Sequence, residues 1–151
     1  MSSTYEEQVF KRLDDLKSKG LLSDYSDKEG SSKEERIITL KRAGDNKPIK
    51  LETNFKSYYY LTFEDYYEEF TDYVNKPEDF EKLIKWMFRY IDIYLKREYY
   101  EVFSIKKKDG SMHSKRLYFN DKSIRPGSLV SYRKKSTFWP FLYKKEIRRP
   151  N

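Results

Sequence analysis

The sequence predicts a single α+β domain over 1–151, and three features carry that expectation. A strongly apolar, aromatic helix pattern runs from Pro77 to Tyr99. Two turn signals, AGDN and KDGS, sit between short alternating segments. Aromatic residues make up 18% of a chain whose charged fraction is 38%. Disordered chains seldom carry so many rings, so a core built on Tyr and Phe is expected despite a mean hydropathy of −1.00. At 151 residues such a core needs no disulfide, and the absence of Cys removes thiolate zinc sites and cysteine nucleophiles as well.

Thr4 and Glu7 are spaced as a capping box, and Val9, Leu13 and Leu16 mark one face of a helix over 5–19 that Gly20 ends in a left-handed conformation. Ser23 to Glu35 is polar, carries Gly and Ser and has no period; it reads as a mobile linker into a main body over 36–151. Arg36–Arg42 and Lys47–Thr53 flank AGDN as a β-hairpin, with Ile38, Leu40 and Arg42 on the apolar side and Pro48 at the start of its strand.

Phe63, Tyr67, Phe70 and Val74 recur at helical spacing behind a capping Thr62, which predicts a helix over 62–74. Its other side carries Glu64, Asp65, Glu68, Glu69 and Asp72. Pro77 suits the first position of the aromatic helix, whose apolar surface includes Phe80, Leu83, Ile84, Met87, Ile91, Tyr94 and Leu95. The two helices are expected to form an antiparallel hairpin with the aromatic helix at the centre of the domain. A single polar line remains on it, Lys82, Lys85, Arg89, Asp92 and Lys96, whose cations could extend a basic surface but are expected to pair with the facing carboxylates.

Glu101–Lys107 and Met112–Phe119 surround KDGS as a second hairpin, its base anchored by Val102, Phe103, Ile105, Leu117 and Phe119. Ile124–Gly127 reads as a turn and Leu129–Lys134 as a further strand, followed by an aromatic-basic segment over Phe138–Ile147 with no assigned type.

The charge is divided unevenly. Residues 1–75 hold 12 Lys and Arg against 16 Asp and Glu, while 76–151 hold 20 against 9. Such asymmetry points to a polyanionic partner, nucleic acid before an anionic membrane surface. Three clusters make up the basic third. Lys106, Lys107, Lys108, Lys115 and Arg116 surround the KDGS turn; Arg133, Lys134 and Lys135 come next; Lys144, Lys145, Arg148 and Arg149 close the chain. Tyr132, Phe138, Trp139, Phe141 and Tyr143 interleave with them, and Trp139 and Phe141, on either side of Pro140, are the candidates for stacking on bases.

Lys and Arg that neutralise phosphates release condensed counterions, and a two-stranded basic ribbon fits the major groove of DNA. A lone Lys-rich turn also keeps an ordinary hairpin soluble. Three clusters in one third of the chain weigh more than one. The expectation is a nucleic-acid-binding protein, for DNA or RNA, that works mainly through phosphates, since no recognition-helix motif is present. The alternative partner is an acidic protein, covered by the basic face of an inhibitor or immunity-type module.

Catalysis and cofactors are not expected. No Gly-rich phosphate cradle is present, His113 stands alone with a surface role expected, and Glu52 is followed two residues on by Asn54, where metal nucleases place Lys. A metal-free ribonuclease built on Lys, Arg and Tyr would leave no motif to find. The segment MSSTYEEQVF has neither a basic region nor an apolar one, and no eighteen apolar residues run together, so a soluble intracellular or particle-associated protein is expected. A Lys-rich, aromatic, Cys-free composition is also compatible with a viral protein.

Overall fold

The computed structural model describes residues 4–64, 66–70, 77–123, 128–133 and 142–150, within which the chain forms two helices and nine strands. The architecture is mixed α+β. The contacts divide the chain into two compact units, Met1–Glu64 with Glu68–Lys96, and Asp65–Tyr67 with Arg97–Asn151.

The first unit opens with α1 (Tyr5–Ser18). The Thr4 hydroxyl accepts the Glu7 N–H at 3.2 Å and the Glu7 carboxylate accepts the Thr4 N–H at 3.3 Å, the capping box that the spacing predicts. Gly20, at φ +78°, ends the helix; its own N–H reaches the Lys17 carbonyl and the Leu21 N–H that of Leu16, both at 3.0 Å. This pair of bonds satisfies carbonyls that would otherwise be orphaned at the helix end.

β1 (Leu22–Glu29) replaces the first half of the expected linker. It pairs antiparallel with β2 (Arg36–Arg42), from Leu22 opposite Arg42 to Glu29 opposite Arg36. After Leu22 its side chains are mostly exposed, and ion pairs such as Asp27 with Arg36 supplement the backbone ladder. An edge strand held in this way has no apolar alternation, so nothing in the hydrophobic pattern marks it.

β2 and β3 (Pro48–Thr53) form the expected hairpin, joined through Gly44 at φ +99° and Asn46 at φ +56°. β4 (Tyr59–Phe63) adds to β3, and the sheet order is β1-β2-β3-β4-β5 with β5 at Tyr66–Glu69. Rows of directly opposed residues, Ile38 with Leu51 and Leu61, and Leu40 with Ile49 and Phe63, are buried on one face. Against that face lie α1 and α2 (Pro77–Leu95): Phe80 stacks on Tyr5 at 3.7 Å, and Tyr94 meets Phe63 at 5.1 Å.

The expected helix over 62–74 is not formed. Its first half belongs to β4 and β5, with Glu64 at φ +56° between them. Two periods overlap in this stretch. The alternation of Tyr59, Leu61 and Phe63 supplies three buried residues, whereas Tyr67 on the supposed helix face is 46% exposed. Residues 71–76 lie outside those described. The helix hairpin and its ion pairs go with it: Glu64 pairs with Lys47 at 3.1 Å and accepts from the Tyr94 hydroxyl at 3.2 Å, while Arg89 on α2 and Lys96 just past its end both pair with Asp92.

α2 stops at Leu95, and Arg97 at φ +61° turns the chain out of it, so Tyr99 starts a strand instead of ending the helix. Among the described residues no helix is long and apolar enough to cross a membrane.

Candidate nucleic-acid interface

The second unit is built on the predicted hairpin, β6 (Tyr99–Lys106) and β7 (Met112–Phe119). Gly110 at φ +73° makes the turn possible, and the Asp109 carboxylate closes it by accepting the Ser111 N–H at 2.9 Å and hydroxyl at 2.6 Å. Lys107 and Lys108 stand exposed at this tip.

The hairpin is not a free ribbon. β9 (Tyr143–Arg148) pairs antiparallel with β6, and the Lys107 N–H extends that side by reaching the Leu142 carbonyl at 2.9 Å. β8 (Ser128–Arg133) pairs with β7, giving the order β8-β7-β6-β9. Four strands spaced about 4.8 Å apart place the outer two about 14 Å from each other before side chains are added. A major groove about 12 Å wide accepts a two-stranded ribbon and not this sheet.

Register sorts the predicted cations onto two faces, since directly opposed residues share a side. One face carries Tyr99, Leu117 and Phe119, all buried, and next to them a polar cluster. There the Tyr66 hydroxyl donates to Glu101 at 2.7 Å, and the Lys115 ammonium lies 5.2 Å over the Tyr66 ring. The Arg148 guanidinium lies 4.0 Å over Phe103, and its Nε donates to Glu146 at 2.9 Å. Lys115 and Arg148, both expected at the binding surface, are thus engaged by partners within their own unit. Lys144, opposite Ile105, falls on this side of the register.

The other face runs in rows about 7 Å apart along β6. Tyr100 lies opposite Tyr118, the rings stacked at 5.3 Å and 9°, with the Arg149 guanidinium 6.0 Å over Tyr100. Val102 lies opposite exposed Arg116 on one side and Ile147, 55% exposed, on the other. Ser104, only 7% exposed, lies between Ser114 and exposed Lys145, and Lys106 follows beside the turn. By backbone register Arg133 stands opposite Ser114 on β8. Lys134, Lys135 and Trp139, together with the expected turn at 124–127, lie outside the described residues.

Two expectations are corrected here. Val102 does not join Leu117 and Phe119 at the buried base but sits on the opposite face. His113 is not a surface residue: it is 4% exposed, at a break in the β6–β7 register, with its ring 4.7 Å from that of Tyr143. Tyr100 and Tyr118 had not been singled out. Their signal was the alternation on either side of KDGS, which puts them opposite each other once the turn fixes the register.

Among the described residues no group of three or more His, Cys, Asp or Glu is placed to hold a metal ion. Comparison with protein-family models, with curated proteins and with solved structures gives no match for the chain.

Proposed function

We propose that the protein binds nucleic acid without catalysis, through the face of the second sheet that carries Arg116, Lys145 and Arg149, with Lys106, Lys107 and Lys108 at its turn end. The observation that supports this reading is the pairing of β9 with β6, which sets two basic segments more than thirty residues apart in sequence side by side in one sheet. From residue 97 onward the chain holds 15 Lys and Arg against 5 Asp and Glu. A concentration of one sign of this size attracts a polyanion through counterion release.

In this reading the aromatic helix α2 is the centre of the first unit's core and not a binding element. The Lys115 and Arg148 side chains, held against Phe103 and their carboxylate or ring partners, shape the sheet from its other side. The binding is dominated by phosphates, and the protein acts in a soluble intracellular setting.

Fluorescence anisotropy with labelled oligonucleotides at low salt tests the proposal. Binding that weakens steeply as salt rises supports it. Negligible affinity at low salt, with capture of an acidic protein that survives nuclease treatment, would replace it with the inhibitor-type reading.

A further inference from the structure

We infer that this sheet face takes single-stranded nucleic acid, bases stacking on the Tyr100–Tyr118 pair and phosphates meeting Arg116, Lys145 and Arg149; the inference rests on the polyanion reading above and names the form of the polyanion.

The hairpin is not presented as a free two-stranded ribbon, because β8 and β9 flank it on both sides. What remains is contact with the broad face. That face is not merely cationic. Tyr100 and Tyr118 are half-buried and nearly parallel, and the next row places Val102 beside an Ile147 that is 55% exposed. A partner that offered phosphates alone would leave these rings and apolar side chains against water. A single strand offers both, since unpaired bases have flat faces to lay on aromatic and apolar side chains while the backbone runs past the cations. In a duplex those faces are hidden in the stack.

The cations sit where a strand lying on the rings needs them. Arg149, just past the end of β9, reaches over Tyr100, Arg116 is one row further along β7, and Lys145 one row beyond that on β9. With rows about 7 Å apart, a strand of a few nucleotides spans the exposed positions from the tyrosine pair past Arg116 to Lys145, passing beside the buried Ser104.

The test compares oligothymidylate and oligouridylate of twelve nucleotides with a mixed-sequence duplex of the same length, using the full chain at one low salt concentration. The inference expects single strands of either sugar to bind at least tenfold more tightly than the duplex. It expects Tyr100→Ala with Tyr118→Ala to weaken single-strand binding roughly 5- to 150-fold, the range of one lost stacking contact. Tyr100→Phe with Tyr118→Phe keeps the rings and should stay within about twofold of the wild-type affinity. Photocrosslinking of the unaltered chain to oligouridylate, mapped by mass spectrometry, reads the same contact without any substitution and should mark Tyr100 or Tyr118. Equal affinity for duplex and single strand, or crosslinks only outside β6 and β7, would overturn the inference while leaving polyanion binding intact. Absence of binding to every probe would overturn both.

Discussion

The Arg42 guanidinium, 1% exposed at the end of β2, donates to the Tyr94 carbonyl at 3.0 Å and thereby holds the last turn of α2 to the sheet. A cation at that end of a helix also complements the macrodipole. Its charge is balanced by Asp45, which accepts from Nη2 at 2.6 Å and Nε at 3.1 Å. Asp45→Ala removes this carboxylate from beside the buried guanidinium and should cost about 3 kcal/mol. For a chain of this length that lowers Tm by roughly 6–12 °C. A loss below about 1 kcal/mol in a urea titration would show that the helix end is held by other means.

Gly20 occupies φ +78° with nothing within 4 Å of an added Cβ. Replacement therefore tests backbone strain without a steric clash. Gly20→Ala should destabilise by about 1 kcal/mol, and Gly20→Asn by less, because Asn tolerates the left-handed region better. Denaturant midpoints with an unchanged m-value provide the comparison.

Burial raises the pKa of the Glu68 carboxyl, and the neighbouring Glu69 adds to the shift. A folded-state pKa above the unfolded value means that folding takes up a proton. The stability tied to this group is present at acidic pH and is lost as pH rises through the folded pKa. Glu68→Gln should accordingly raise the urea midpoint at pH 7, and the gain should disappear near pH 3.5. A gain of equal size at both pH values would assign it to something other than ionisation.

How far the fold could be read from the residues depended on the range of the interactions. Thr4, Glu7 and Gly20 act on their own helix, and AGDN and KDGS act on adjacent strands, so each was legible. Ser23 to Glu29 form a strand only because β2 lies beside them, and no local period records that. At 59–70 a helical period and a strand period coexist, and burial of Tyr59, Leu61 and Phe63 decides for the strand. The basic clusters were legible as composition. Their sorting onto two faces was not, because it depends on which residue of β9 meets which residue of β6 across a long stretch of chain.

The cationic line on α2 makes a control. Lys82 and Lys85 are exposed, and Asp92, the acid on the same polar line, pairs with Arg89 and Lys96. Lys82→Ala with Lys85→Ala should change stability by no more than about 0.5 kcal/mol and leave oligonucleotide affinity unaltered. An affinity loss equal to that of the sheet-face substitutions would move the interface to the first unit.

The dependence of oligothymidylate affinity on salt, compared between the wild-type chain and Arg116→Ala/Lys145→Ala/Arg149→Ala, tests the central claim most directly. Each phosphate contact on a single strand contributes about 0.7 to the slope of log K against log salt. Loss of three should make that slope shallower by about 2 and weaken binding at low salt, with circular dichroism unchanged. A slope identical to that of the wild type would contradict the assignment of these three cations to the interface.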